Sequence, residues 1–300
     1  MTNDLPPISP AMIALYDRFT HVGGTRRALV TGMARLAGGM AAALALLPLI
    51  EARAEAAPLT SENNPNIYAE RIVFTLPNGV RMAGYIARPR RGAARLPKVM
   101  VVHENRGLTE HIRDVTRRLT LRGFVALAPD FLTPLGETPR TGDGTTSADD
   151  IARQLIGGLD PAQTVGNAVA TLRWLDDYSE GHGTPGAVGF CWGGGLVNNL
   201  AIAAGPGLRS GVAYYGPAPA DIGLAPRVKA RMTLHFAGLD DRINPRGAEW
   251  AAALADAGAK VEAFTYPGVN HAFANDTSEA RFNQQANDLA WGRTLDALKL

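Results

Sequence analysis

The chain has 300 residues, of which 46% are hydrophobic and 19% are charged. This composition excludes a disordered chain and allows one large α/β domain, or at most two modest ones. Residues 1–54 hold five arginines and three acidic residues, so the net charge of +2 lies there and the rest is balanced at 25 basic and 25 acidic residues. We therefore expect neither nucleic acid nor an anionic membrane surface as a partner.

The first 54 residues have the layout of a bacterial twin-arginine export signal. Arg26 and Arg27 precede an uncharged stretch at 36–50, and Ala-Arg-Ala at 52–54 has the small-x-small pattern of a cleavage site. The stretch is shorter than the roughly 20 residues that span a bilayer, so stable membrane insertion is not expected. The prediction is a signal at 1–54, with a periplasmic or exported protein. An amphipathic or buried N-terminal helix in a cytoplasmic protein is the alternative.

After a Pro- and Asn-rich linker at 55–66, residues 67–300 are predicted to form a single domain. Strand-like runs at 71–76 and 80–87 flank Pro77-Asn78-Gly79, a hairpin signal. The apolar runs that follow predict buried strands at 97–103, 124–129, 186–190, 211–215 and 232–237, and an edge strand at 261–266. Helices are predicted at 114–122, 148–156, 161–177, 196–204, 248–257 and 280–298. This alternation predicts an α/β fold, a mostly parallel sheet with helices on both faces.

The segment Gly-Phe-Cys-Trp-Gly-Gly at 189–194 has the pattern of a nucleophile elbow. In that strand–turn–helix motif of α/β-hydrolases, the flanking glycines are required because backbone and helix crowd together. Cys191 is the only cysteine, which excludes an intramolecular disulfide and a zinc site made of several thiolates. The context predicts Cys191 as a nucleophile rather than a buried apolar side chain.

A thiol nucleophile needs a base, and the base needs an acid that orients it. In this fold the chain order is nucleophile, acid, base. Asp240 follows the strand predicted at 232–237, and His271 follows the strand predicted at 261–266. They are therefore the predicted acid and base. Asp241 is the alternative acid.

Four segments together resemble the dienelactone hydrolase family, which is carboxymethylenebutenolidase-like: 102–107, 189–194, 238–240 and 271–273. The resemblance covers residues 68–298. It implies an α/β-hydrolase that acts on a small-molecule ester or lactone and needs no cofactor. It also implies that Cys191 is the nucleophile, His271 the base and Asp240 the acid that orients the base. Glu104 is implied to contact the resting thiol and to help activate it. The backbone amides of Asn105 and Trp192 are implied to form the oxyanion hole.

The sequence departs from the family at one position. Dienelactone hydrolases hold the substrate carboxylate with arginines, one of them shortly after the catalytic histidine, whereas this chain has Asn275 there. Arg106 is the candidate for a substituting cation, and a structural role for it is the alternative. The dienelactone substrate itself is therefore left open. A general carboxylesterase and a non-catalytic binding protein with a hydrolase fold are the other interpretations.

The remaining histidines are not predicted to be catalytic. His103 and His235 lie on or beside buried strands and are expected to be packed and hydrogen-bonded, whereas His111 and His182 are expected to be exposed. The histidines and acidic residues show no metal-ligand spacing along the chain, so no metal site is predicted.

Overall fold

The computed structural model describes residues 5–51, 58–91 and 96–299. Within these ranges the strands are β1 (Ile67–Thr75), β2 (Arg81–Pro89), β3 (Leu96–Val102), β4 (Val125–Pro129), β5 (Gly181–Phe190), β6 (Ser210–Tyr214), β7 (Arg231–Ala237) and β8 (Val261–Tyr266). The helices are α1 (Pro10–Val22), α2 (Arg26–Ala37), α3 (Met40–Ile50), α4 (Glu110–Leu121), α5 (Ala148–Gly157), α6 (Pro161–Asp176), α7 (Trp192–Ala204), α8 (Asn244–Asp256) and α9 (Gln284–Lys299). Short 3₁₀ helices lie at Thr133–Leu135, Gly205–Gly207 and Ile222–Arg227.

The strands form one eight-stranded sheet in the order β1-β2-β4-β3-β5-β6-β7-β8. The pairs β1–β2 and β2–β4 are antiparallel, and every other pair is parallel. The predicted hairpin joins β1 to β2: Gly79 has φ +83°, and the Leu76 amide donates to the Val80 carbonyl at 2.8 Å. The strand predicted at 261–266 is confirmed as an edge strand. These observations confirm the predicted mostly parallel α/β sheet.

Helices cover both faces of the sheet. The α6, α7 and α8 helices pack on one face through a core that includes Leu172, Leu200 and Trp250. The α4 and α9 helices pack on the other through a core that includes Ile112 and Leu295. Since parallel strands point their carboxyl ends to one edge, the loops after β3, β5, β7 and β8 meet there.

Four helices begin at positions that differ from the sequence prediction. The α8 helix begins at Asn244, four residues early, with Pro245 in its first turn. The α4 helix begins at Glu110, four residues early, because Thr109 has the extended dihedrals of a cap and a first-turn glutamate is favoured by the helix dipole. The α7 helix begins at Trp192, directly after the cysteine, although glycine is a poor helix former. The α9 helix begins at Gln284, because the chain after His271 forms a series of turns.

Helices α1 to α3 precede the sheet and share a small core of their own, which includes Tyr16, Leu29 and Leu46. They are tied to the loop before α9, where the Ala280 amide donates to the Leu49 carbonyl at 3.0 Å and the Ser278 hydroxyl donates to the Ile50 carbonyl at 2.9 Å. In the described ranges no single helix is both long and apolar enough to cross a bilayer; α2 and α3 meet that test only as a pair, and they are bent by 109°. The predicted cleavage site at 52–54 lies outside the described residues.

Candidate active site

Cys191 lies in a strained turn between β5 and α7. Its backbone has φ 55° and ψ −117°, a region that non-glycine residues rarely adopt. A Cβ on Gly189 would lie 2.2 Å from the Gly193 carbonyl oxygen, and one on Gly193 would lie 2.4 Å from the His103 carbonyl oxygen. The glycines are therefore required by close backbone contacts. The turn has the geometry that the elbow motif predicts.

We expect a Gly193→Ala variant to lose at least about 3 kcal/mol of unfolding free energy, because the new methyl group meets backbone atoms of β3 and its loop that cannot rotate away. Gly166→Ala is the control. Gly166 is exposed in α6 with no atom within 4 Å of the added Cβ, so this change should stabilise the protein by about 0.5–1 kcal/mol. Urea denaturation of both variants measures the difference, and equal stabilities would contradict the required close contact.

His271 and Asp240 form a buried pair at the carboxyl ends of β7 and β8. The His271 Nδ1 lies 2.5 Å from the Asp240 Oδ2, and the other oxygen of Asp240 accepts from the Ile243 amide at 3.2 Å. Burial raises the pKa of Asp240, but the hydrogen bond and charge of His271 outweigh it and hold that pKa below its usual value. Asp241, the alternative acid, is exposed. The structure pairs His271 with Asp240.

The donor atoms of His271 and Cys191 lie within 4.8 Å of each other. Burial lowers the pKa of His271, but the charge of Cys191 and the interactions with Asp240 and Cys191 outweigh it and raise that pKa to about 10. An imidazolium beside a thiolate is the pairing that activates a cysteine nucleophile.

Glu104 is buried in the loop after β3, and Asn275 holds it there. The Asn275 side-chain amide donates to the Glu104 Oε2 at 2.7 Å, while the buried Oε1 has no hydrogen-bond partner in the described part of the chain. The residue at the position of the family's arginine thus binds a carboxylate of the protein. No hydrogen bond joins Glu104 to Cys191 among the described residues; the sulfur instead contacts His21.

An Asn275→Ala variant should be less stable by about 1–3 kcal/mol, because it leaves the buried Glu104 carboxylate without its donor. It should also slow hydrolysis if Glu104 assists the thiol. Asn63→Ala is the control, since Asn63 is exposed and its backbone amide, which alanine retains, donates to the Ser61 hydroxyl. Chemical denaturation and kcat/KM on one aryl ester test the pair, and an Asn275→Ala protein as stable as the control would contradict the role of Asn275 in holding Glu104.

The two predicted oxyanion-hole residues line the same cavity as Cys191. Trp192 opens α7, where first-turn amides have no acceptor inside the helix. Asn105 follows β3, and its side-chain amide donates to the Thr20 carbonyl at 3.1 Å. Both residues therefore border the cavity of Cys191, and their role as the oxyanion hole stays a prediction.

Arg106 is not brought to the nucleophile. It is buried, its Nη1 lies 3.2 Å from the Asp149 carboxylate, and its Nη2 donates to the Tyr16 hydroxyl at 2.7 Å. It lines a separate cavity of about 250 Å³. The cations that line the cavity of Cys191 are Arg153 and Arg242, which the sequence did not single out.

The other histidines have structural contacts. His103 donates to the Glu104 carbonyl at 2.7 Å and accepts from the Phe131 amide at 3.2 Å, as expected for a packed histidine. His235 is fully buried, and burial together with the charge of Arg293 lowers its pKa to about 3. His182 is exposed as predicted, but the prediction for His111 is wrong. It lies on the inner face of α4, and its Nδ1 is 2.8 Å from the Asp276 carboxylate.

One active-site residue was missed. His21, at the end of α1, places its Nε2 3.1 Å from the Cys191 Sγ, and its ring packs edge-on against His271 with centroids 4.7 Å apart. Burial, and next the charge of His271, lower the pKa of His21 well below its usual value. It therefore meets the sulfur as a neutral imidazole.

The cavity at Cys191 has a volume of about 590 Å³, in the range of small-molecule sites. Helix α1, through Thr20 and His21, and the main domain both contribute to its wall. The residues that line it include Thr20, His21, Arg153, Ile156, Leu159, Val165, Trp192, Leu196, Pro217 and Arg242. Apolar walls with a few cations suit a small organic substrate.

Comparison with known proteins agrees with this fold. The chain is 32% identical over 233 residues to a candidate carboxymethylenebutenolidase of Escherichia coli O157:H7, covering 74% of this chain and 83% of that protein. It is 30% identical over 232 residues to one of Synechocystis, covering 73% of this chain and 92% of that protein. The structure of a candidate dienelactone hydrolase from Klebsiella pneumoniae superposes with a TM-score of 0.68 at 27% identity, covering 78% of this chain and 98% of that one.

The profile of the dienelactone hydrolase family matches residues 82–300, which is well over half of the chain and includes all four segments that carry the resemblance. The relatives and the fold indicate a hydrolase that acts on esters or lactones. This chain belongs to the dienelactone hydrolase family.

Proposed function

We propose that this protein hydrolyses a carboxylic ester or lactone through a thioester on Cys191, with His271 as base and Asp240 as its orienting acid. The observation that carries the proposal is the 2.5 Å contact between His271 and Asp240 beside a cysteine at a strained elbow. All three lie at the carboxyl ends of parallel strands. This is the nucleophile–base–acid arrangement of acyl transfer.

In the first half-reaction, the Cys191 thiolate attacks the carbonyl carbon and a carbon–sulfur bond forms. The carbonyl electron pair moves to oxygen, where the amides of Asn105 and Trp192 stabilise it. When the carbonyl re-forms, the carbon–oxygen bond breaks, and the His271 imidazolium gives its proton to the departing alkoxide. If the substrate is a lactone, that alcohol stays attached to the acyl group.

In the second half-reaction, water opens the thioester. Neutral His271 takes a proton from the water as its oxygen bonds to the acyl carbon, and the thiolate departs when the tetrahedral intermediate collapses. The products are a carboxylic acid and the resting thiolate–imidazolium pair. Asp240 holds the imidazole ring in one tautomer throughout, because its carboxylate accepts the Nδ1 hydrogen.

Glu104 is placed to assist the first step. In the described part of the chain its buried Oε1 has no hydrogen-bond partner, so this carboxylate retains an unused acceptor. Asn275 fixes the other oxygen and leaves Oε1 as the one able to accept a proton from Cys191 in its thiol form, before the thiolate–imidazolium pair forms. We propose that it takes part once substrate has displaced His21 from the sulfur.

His21 must withdraw before acylation. A reacting carbonyl carbon has to come within about 3–3.5 Å of the sulfur, and the His21 Nε2 already lies at 3.1 Å. Helices α1 to α3 therefore compete with substrate for the face of the nucleophile. The segment at 1–54 is proposed as a twin-arginine-type leader, and its removal during export would also remove this contact.

N-terminal sequencing of the protein from periplasmic and cytoplasmic fractions tests the leader. A start near residue 55 in the periplasmic fraction is the expected result. Arg26 and Arg27 are both exposed at the start of α2, so they are accessible in the folded chain. An intact Met1 found in the cytoplasm alone would contradict export.

The thioester is tested by a brief reaction of the protein with p-nitrophenyl acetate. The reaction is stopped with acid, and the mass of the intact protein is then measured. The wild type should carry one acetyl group, which maps to the peptide that contains Cys191. A Cys191→Ala protein should carry none. A wild-type protein that turns over the ester without an adduct, even under rapid quenching, would count against the covalent route.

A general carboxylesterase remains the second candidate, because Arg153 and Arg242 line the cavity but neither stands at the family's carboxylate-binding position. A panel of matched lactones and aryl esters, each with and without a free carboxylate, separates the two. Preference for carboxylate-bearing lactones favours a dienelactone-like substrate. No turnover of any member would favour the binding-protein interpretation.

A further inference from the structure

Three donor atoms from distant parts of the chain converge in the cavity. The imidazole nitrogens of His21 and His271 and the sulfur of Cys191 all lie within 4.8 Å of one another. The His21 Nε2 is 3.1 Å from the sulfur. The mechanism above uses Cys191 and His271 but gives His21 no role, so the convergence of the third donor needs its own explanation.

Both imidazoles are oriented as metal ligands usually are. The His271 Nδ1 is bonded to the Asp240 carboxylate at 2.5 Å, and the His21 Nδ1 lies 2.8 Å from the Asp17 carbonyl oxygen. A histidine that gives its Nδ1 hydrogen to an oxygen presents the lone pair of Nε2, and this outer contact is nearly universal for ligating histidines. Once His271 has lost its second proton, the donor nitrogens of both imidazoles lie within 4.8 Å of the sulfur.

The Nε2 of His271 is also buried and has no hydrogen-bond partner in the described part of the chain. A buried polar atom without a partner is costly, and an unplaced ion is one of the explanations for it. The cavity on the open side of the three donors has room for a water molecule as a fourth ligand.

We propose that His21, Cys191 and His271 form a zinc site of the His₂Cys type, in which Zn²⁺ holds α1 against the nucleophile. The donors select the ion: thiolate and imidazole suit Zn²⁺, whereas Mg²⁺ and Ca²⁺ require oxygen ligands. Tetrahedral Zn²⁺ at its usual bond lengths separates its ligand atoms by about 3.3–3.6 Å. The three donors lie within 4.8 Å of one another, so binding requires them to move to that spacing.

Binding balances with the loss of one proton. The thiolate–imidazolium pair holds one proton between Cys191 and His271, and both residues must bind the ion without it, so that proton goes to solvent. The bound ion takes the lone pairs of the nucleophile and the base. The zinc form is therefore inactive, and removal of α1 or of the ion would release the active site.

The test is a titration of the full chain with Zn²⁺ by calorimetry and with Co²⁺ by absorption spectroscopy. We expect one equivalent to bind, with a thiolate-to-cobalt charge-transfer band. His21→Ala should weaken Zn²⁺ binding by at least about 100-fold, because replacement of even an outer partner costs 10–100-fold. Cys191→Ala should abolish the charge-transfer band. His182→Ala, which removes an exposed histidine on β5, is the control and should bind as the wild type does.

No arm of this test measures hydrolysis, so its outcome is independent of the proposed function. If His21→Ala folds poorly, His21→Gln retains most of the side-chain volume without a zinc ligand of comparable strength. A Zn²⁺-dependent rise in the melting temperature of the wild type, lost in Cys191→Ala, is a second readout. Equal Zn²⁺ affinity in the wild type and both His21 variants would overturn the site, as would a wild type that binds no Zn²⁺ or Co²⁺.

Discussion

A Cys191→Ala variant is expected to lower kcat for ester or lactone hydrolysis by roughly 10⁵-fold or more, the scale on which nucleophile removal acts in triad hydrolases. Alanine retains the backbone of the elbow, because cysteine and alanine both carry a Cβ at the same φ of 55°. The fold should therefore survive. Steady-state kinetics on an aryl ester, together with thermal denaturation, measure activity and stability separately.

Cys191→Ser sharpens this prediction. Serine preserves the size and polarity of the side chain, but its hydroxyl is far harder to ionise than a thiol beside the same base. We expect Cys191→Ser to be much slower than the wild type and at least as fast as Cys191→Ala. A Cys191→Ala protein with near-wild-type kcat would contradict the mechanism, whatever the serine variant does.

The proposed catalytic centre could be predicted because each of its members is marked locally. Glycines flank Cys191, Asp240 follows a run predicted as a buried strand, and His271 follows a run predicted as an edge strand. Parallel strands bring their carboxyl ends to one edge, so positions 191, 240 and 271 had to meet. Chain order then assigned the acid and the base.

His21 could not be predicted by the same means. It lies 170 residues before Cys191, in a segment whose composition matches an export signal. Its position depends on tertiary contacts that leave no periodic pattern, among them the bond from Asn105 to the Thr20 carbonyl and the bond from Arg106 to the Tyr16 hydroxyl. The sequence shows no metal-ligand spacing because the three donor residues, His21, Cys191 and His271, come from distant segments of the chain.

The direction in which a long side chain points could not be predicted from the sequence either. Arg106 stands next to two predicted site residues, yet its guanidinium pairs with Asp149 at the start of α5 and turns away from the sulfur. The exposure of His111 depended on the rotational phase of α4, which begins four residues earlier than its periodicity indicates. In both cases the sequence predicts where the residue lies in the fold but not which group its side chain contacts.

Asp240→Asn should lower kcat by roughly 10⁴-fold, because an amide cannot stabilise the imidazolium of His271 and favours the wrong tautomer. The interaction with Asp240 is among the causes that raise the pKa of His271 to about 10. Without this interaction the pKa of His271 falls, and the imidazolium loses its proton at a lower pH. The alkaline limb of the kcat/KM profile should therefore move toward lower pH.

The neighbouring carboxylate provides the control for this second prediction. Asp241→Asn removes the same charge one residue away, but Asp241 is exposed and has no contact with His271, so kcat and the alkaline limb should both stay near the wild type. The pH profile distinguishes an orienting acid from a residue needed only for folding, since a folding defect lowers activity without moving the limb. If instead Asp241→Asn shows the larger loss, Asp241 is the acid, and the buried contact of Asp240 with His271 does not support catalysis.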